Sequence, residues 1–181
     1  MWLKLQENLK INFKGVFINE SKKINVIDIK ITPNRYLKPD TAEKILNEIY
    51  KLEGQQRVLI HGPSIPLKVF YGPGKGHVVN HTNRKKISVH GNDVELRVMV
   101  GEIVITVDIS KFNEFMDKLQ LILDENVPCN YYLLVGIFTR TKSTISDYLK
   151  YGNNFESVID DRYIGLVDSR AKTAETVKVI R

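Results

Sequence analysis

All four histidines of the chain, His61, His77, His81 and His90, fall in one stretch, Gly54 to Asn92, that contains no aspartate or glutamate. Imidazoles so clustered could ligate a metal, and His77 and His81 would share a face if a helix or turn carried them. The interval between them crosses Val78-Val79-Asn80 in a glycine-rich segment, with no carboxylate nearby to complete or orient a ligand set. Histidines that hydrogen-bond or face a partner are the simpler reading, and no metal is expected. The adjoining run YGPGKGH has glycines that could turn backbone amides onto an anion and Lys75 to add charge. No Ser or Thr follows the lysine, the glycine spacing matches neither nucleotide fingerprint, and no helix opens behind the run. A rigid contact loop is expected there, not a nucleotide site.

Nucleophiles are as sparse. Cys129, the only thiol, follows Pro128 at the entrance to an apolar run with no histidine near it in sequence, and Ser64 lies in no nucleophile-elbow pattern. The adjacent pair Asp160-Asp161 reads as solvated or helix-capping carboxylates rather than an acid and a base. The residues predict no active site, hence no enzyme and no resident cofactor. One cysteine permits no internal disulfide and no cysteine-based metal cluster, which fits a reducing cytoplasm. No apolar run reaches the about 18 residues of a membrane span, and MWLKLQENLK puts Gln6, Glu7 and Asn8 where a signal peptide needs apolar residues. Neither secretion nor a membrane helix is expected.

At 181 residues the chain has room for one domain with extensions. Lysine and arginine number 27 against 21 acids, and the net +6 is accounted for by Arg57, Lys68, Lys75, Arg84, Lys85 and Lys86, all inside the acid-free stretch. Such a surface attracts phosphates, nucleic acid or acidic protein faces without choosing among them.

The elements that must carry these residues follow from periodicity. INVIDIKI (24–31) puts Ile27, Ile29 and Ile31 on one face and Asp28 and Lys30 on the other, the alternation of a half-buried strand. After Pro39, Asp40 and Glu43 resemble a capping box. Ala42, Ile45, Leu46, Ile49 and Leu52 then recur at helical spacing as far as Gly54. A short strand RVLIHG leads into the Gly/Pro/His loop. KISVH, a Gly91-Asn92 turn of type II′ and VELRVMV form a hairpin with Val94, Leu96 and Val98 inward. The apolar parity resets at Gly101, and Ile103, Ile105 and Val107 mark a core strand. Ser110 caps a helix striped by Phe112, Phe115, Met116, Leu119, Ile122 and Leu123, and Tyr131 to Phe138 is apolar enough to be a strand buried on both faces.

Strand, helix, strand, inserted loop and hairpin, strand, helix, strand is a split βαβ order. The predicted class is α+β, a ferredoxin-like sandwich with two helices on one face of an antiparallel sheet. Three parts are expected: residues 1–23, whose Trp2, Leu3, Leu5, Leu9, Phe13, Val16, Phe17 and Ile18 would cover or extend the sheet; the body, 24–138; and a polar, Tyr-rich C-terminal arm, 139–181, with at most a short helix near Ser143 to Lys150. A basic sheet of this kind also raises RNA binding. INVIDIKI and EIVITVD carry no aromatic residue on which bases could stack, so RNA is the weaker reading. The arm's Arg140, Lys142, Tyr148, Lys150, Tyr151, Arg162 and Tyr163 are of the types that enrich protein interfaces, unless they pack back on the sheet.

TPNRYLKPDTAEKILNEIY, RVLIHGPSIP, YGPGKGHVVNH, VELRVMVGEIVITVD, TRTKSTISDYLKYG and DDRYIGLVD, spread between Ile24 and Asp168, together resemble the methyl-coenzyme M reductase operon protein D family. That family is the accessory protein encoded with the methane-forming reductase of methanogenic archaea. The resemblance implies a non-enzymatic protein that associates with reductase subunits and assists their assembly or maturation, chaperone-like, around insertion of the nickel tetrapyrrole cofactor, with the cofactor-free form as its expected partner. The contact surface expected on that reading is His61, Tyr71, Lys75, Asn80 and His81 from the loop with Arg140, Lys142, Asp147, Tyr148 and Tyr151 from the arm. An alternative is that Lys75, Arg84, Lys85 and Lys86 carry the anionic cofactor itself.

Overall fold

A computed structural model describes residues 25–166. The apolar residues expected before residue 19, and the arm beyond 166, lie outside the described residues. The elements are β1 (Val26–Pro33), α1 (Pro39–Ile49), β2 (Gln55–His61), β3 (Lys86–Val89), β4 (Asn92–Glu95), β5 (Glu102–Asp108), α2 (Phe112–Asn126), β6 (Tyr131–Gly136) and α3 (Ile145–Tyr151). Single 3-10 turns at Ile109–Lys111, Phe155–Ser157 and Asp161–Tyr163 complete them. The class is α+β: the described residues form an antiparallel sheet of four strands in the order β2-β5-β1-β6, a separate β3-β4 hairpin and three helices.

Strand parity decides what each face of the sheet meets. Ile29 and Ile31 of β1 with Ile103, Ile105 and Val107 of β5 point to one side, where α1 delivers Ala42, Ile45, Leu46 and Ile49 and α2 delivers Phe115, Leu119 and Leu123. Burial of each of the larger of these side chains contributes about 1.5–3 kcal/mol, so this layer is the main stabilising one. Ile87, Val89 and Leu96 of the hairpin join the same core. The hairpin is also sewn to α1 by polar bonds: Asn47 Nδ2 donates to the Ser88 carbonyl at 2.8 Å, and the His90 and Ser88 amides donate to Asn47 Oδ1 and Glu43 Oε1.

Several local expectations are corrected. Glu43 serves the hairpin instead of a capping box; α1 starts at Pro39 behind Lys38 with no side-chain cap. The carboxylate of Asp108, not the hydroxyl of Ser110, caps the turn before α2 by accepting from the Ser110 amide. The tight turn of the hairpin is His90-Gly91, both at positive φ (47° and 75°), which is the type I′ pattern and not II′. Leu96 is buried, whereas Val94 and Val98 are only partly so. Finally, β6 is an edge strand, and its Tyr132 and Leu134 are 65% and 48% exposed instead of buried. An apolar run cannot distinguish an edge strand from a central one, because pairing partners are not local.

Candidate functional site

The Gly/Pro/His loop is a folded projection. Its base runs beside the strand-like segment before β5: the Ile65 amide donates to the Arg97 carbonyl at 2.7 Å, Met99 to Pro63 at 2.8 Å and Gly101 to His61 at 2.9 Å. Further out, Val79 donates to Leu67 and Val69 to His77, and Lys68 faces Val78, so the tip is a small two-stranded projection. At the tip the Lys75, Gly76 and His77 amides donate to the carbonyls of Gly72, Val69 and Gly74. Amides committed to the loop's own carbonyls do not form a concave cradle for an anion.

Charge in the stretch is partly neutralised. Arg84 binds Glu95 at 3.0 Å and donates to the Ile65 carbonyl, and Lys85 lies 3.5 Å from Asp40. Arg57 is buried under the arm. Among the described residues, Lys68, Lys75 and Lys86 make no ion pair, so the four cations of the cofactor-carrier reading are not four available charges. His81 accepts from the Asn83 amide through Nδ1. Among the described residues no group of His, Cys, Asp or Glu is arranged to hold a metal.

The arm is anchored on the other face of the sheet. Arg57, Thr106 and Asp28 lie in register on β2, β5 and β1, and are only 7%, 1% and 2% exposed. Asp28 accepts the Thr106 hydroxyl at 2.6 Å, the Phe138 and Thr139 amides at 2.8 and 2.6 Å, and the Thr139 hydroxyl. Arg57 donates to the Ile164 and Arg140 carbonyls at 2.9 and 3.1 Å and to the Thr139 hydroxyl at 2.9 Å. Burial pulls the Arg57 pKa down from its usual value, and the charge of Asp28 opposes that. Both ends of the described arm, Thr139-Arg140 and Ile164, are therefore pinned to one polar row. The arm's buried hydrophobics among the described residues are only Phe155 and Ile164.

Within the arm, Thr144 and Asp147 form a reciprocal capping box at the start of α3, and the Asp147 carboxylate also accepts the Gly165 amide at 3.1 Å. Phe155 packs edge-on against Tyr148, with ring centroids 5.2 Å apart, and tilted against Tyr151 at 5.7 Å.

The expected contact residues divide accordingly. His61, Tyr71, Lys75, Asn80 and His81 are exposed on the loop, and Arg140, Lys142 and Tyr148 are exposed on the arm. Tyr151 is half-buried against Phe155. Asp147 is a correction: it is 0% exposed, and its carboxylate holds the arm together instead of facing a partner. The loop leaves the sheet at the His61–Glu102 pair and the arm is pinned at the Arg57–Thr106 pair, four positions back along β2, or about 13 Å at strand rise. Sequence reasoning missed Asp28 and Arg57, the residues that place the arm, and the exposed aliphatics Ile145, Leu149 and Val158. The spacing of Ile145, Tyr148 and Leu149 around a lone Asp147 was the available signal.

A family model described as methyl-coenzyme M reductase operon protein D matches residues 28–176. The methyl-coenzyme M reductase II operon protein D of Methanothermobacter thermautotrophicus is 54% identical over 155 residues, 86% of this chain and 96% of that protein. The proteins of the same description from Methanocaldococcus jannaschii and Methanothermus fervidus are 49% identical over 161 residues (89% and 95% of the two chains) and 48% identical over 165 (91% and 100%).

Proposed function

We propose, since the chain belongs to the methyl-coenzyme M reductase operon protein D family, that it works with methyl-coenzyme M reductase in methanogenesis as a non-enzymatic accessory protein. On this reading it binds reductase subunits, in their cofactor-free form, and assists assembly or maturation around insertion of the nickel tetrapyrrole. The observation that carries the reading is the arm: a segment with little core of its own, held by a polar row, that presents Arg140, Lys142 and Tyr148 outward. Aromatic and arginine anchors of this kind dominate binding energy at protein interfaces. The exposed loop, with His61, Tyr71, Lys75, Asn80 and His81, would supply a second contact.

The strand order β2-β5-β1-β6, antiparallel throughout, with α1 and α2 on one face, supports reading residues 24–138 as a ferredoxin-like body that displays loop and arm.

The test is capture of the reductase by the tagged protein, with quantification of the nickel cofactor in what is recovered. Recovery of subunits nearly free of cofactor supports an assembly role. Recovery of fully loaded enzyme indicates a stable accessory subunit instead, and no recovery removes the reading. Replacing Tyr148 and Arg140 together by Ala is expected to weaken capture while the far-UV spectrum stays that of the folded protein.

A further inference from the structure

The helix α3 is inside out. Its buried member is the carboxylate Asp147, while Ile145, Tyr148 and Leu149, at positions i, i+3 and i+4, form an outward stripe 80%, 46% and 72% exposed. A surface helix ordinarily turns such a stripe toward a core. Here the orientation is fixed: the capping box with Thr144 and the bond from the Gly165 amide hold Asp147 inward, and the Phe155 ring takes the inner edge of Tyr148. Val158, 81% exposed, lies three residues beyond Phe155, on the turn that this ring ties to α3. Lys142 and Lys150 bracket the stripe in sequence, and both are exposed with no ion pair among the described residues.

We propose that Ile145, Tyr148 and Leu149 are a docking surface for a protein partner that offers an apolar groove rimmed by carboxylates. Helix-in-groove recognition reads anchors at this spacing, and the flanking lysines set the sign of the rim. A second copy of this chain is the poorer occupant. A two-fold interface would set each patch against itself and bring lysines to lysines. The inference rests on the proposed function for the identity of the partner, a reductase subunit, and goes beyond it in naming aliphatic anchors and the chemistry they meet.

The experiment uses the full chain and compares wild type, Ile145→Glu/Leu149→Glu, Ile145→Ser/Leu149→Ser and Lys142→Glu/Lys150→Glu for affinity to purified reductase subunits at low and high salt. Hydrogen exchange at the Asp147 and Gly165 amides reports whether the arm stays docked in each variant. The expected result is an affinity loss of about tenfold or more in both stripe variants with the arm still protected. The lysine variant should lose several-fold at low salt, with a flattened salt dependence. Wild type binding that both stripe variants retain within about twofold overturns the docking surface and leaves the proposed function standing. Wild type that does not bind the subunits at all overturns both. Leu149-dependent self-association, or Leu149-dependent binding to anionic vesicles, overturns the choice of partner.

Discussion

Arg57 and Asp28 are joined through a single hydroxyl: Arg57 Nη2 donates to Thr139 Oγ1 at 2.9 Å, and Thr139 Oγ1 donates to Asp28 Oδ2 at 2.9 Å. The three residues come from β2, from the start of the arm and from β1, so the first residue of the arm is the bridge between two strands that are not neighbours. Thr106 on the intervening β5 closes the row by donating to Asp28 at 2.6 Å. A buried carboxylate with every lone pair committed holds a segment in one place, at the cost of large sensitivity to losing either partner.

Asp28→Ala removes the acceptor for the Thr106 and Thr139 hydroxyls and the Phe138 and Thr139 amides, and leaves Arg57 buried without its nearby opposite charge. Destabilisation of about 3 kcal/mol is expected from urea unfolding, with Asp28→Asn intermediate because it keeps one acceptor oxygen. Amides from 138 to 166 should lose exchange protection before those of the β1–β5 pair. A loss under about 1 kcal/mol would show that the row does not hold the arm.

Thr144→Ala deletes half of the capping box. The Asp147 amide loses its side-chain acceptor, and Asp147 loses the Thr144 hydroxyl donor. About 1 kcal/mol is the expected loss, confined to the arm. Faster limited proteolysis between 140 and 166 with an unchanged unfolding midpoint of the sheet would be the signature; equal cleavage of the two proteins would contradict it.

The body of the fold was legible because its signals are local. The alternation of INVIDIKI and the helical spacing from Ala42 to Leu52 place β1 and α1 to within a few residues. What periodicity cannot carry is which object covers a face. It assigns Asp28 and Lys30 correctly to the side opposite Ile29 and Ile31, but that side reads as solvent-facing, and Asp28 is buried because a segment more than a hundred residues later lies over it. Arg57 reads as part of the basic surface for the same reason. Asp147 reads as a contact residue because charge in a Tyr-rich arm ordinarily faces water, whereas α3 keeps its carboxylate inside for its own cap.

Gly165 and Gly152 separate two effects of a side chain. Both have positive φ, 77° and 84°, and Gly152 adds a ψ of −175°, a region essentially confined to glycine, so alanine at either costs about 1–3 kcal/mol of backbone strain. A Cβ at Gly152 meets nothing within 4 Å, but at Gly165 it would sit 2.3 Å from the Arg140 carbonyl oxygen that accepts from Arg57. Gly165→Ala is therefore expected to add a clash to its backbone strain and to release the arm's end, read as lost protection of the Gly165 and Leu166 amides that Gly152→Ala retains. Protection of those two amides retained in Gly165→Ala would mean that the arm moves aside without penalty.

Tyr131 contributes to the alkaline behaviour. Burial first, then its 2.5 Å hydrogen bond to Asp124 and the charge of that carboxylate, push its phenol up to about 12 from an ordinary 10.0. A folded-state pKa above the unfolded one means that the fold prefers the neutral phenol. The stabilisation is complete below pH 10.0 and is lost as pH rises from there through about 12. Burial raises the phenols of Tyr50 and Tyr151 as well, so native protein should show several late-ionising phenols in a spectrophotometric titration, and the step near 12 should be missing in Tyr131→Phe. The variant should also lose less stability than wild type between pH 9 and about 12, since it has no phenol at the start of β6 to ionise. A native titration in which every tyrosine ionises near 10 would remove the Tyr131–Asp124 bond as a fastening between α2 and β6.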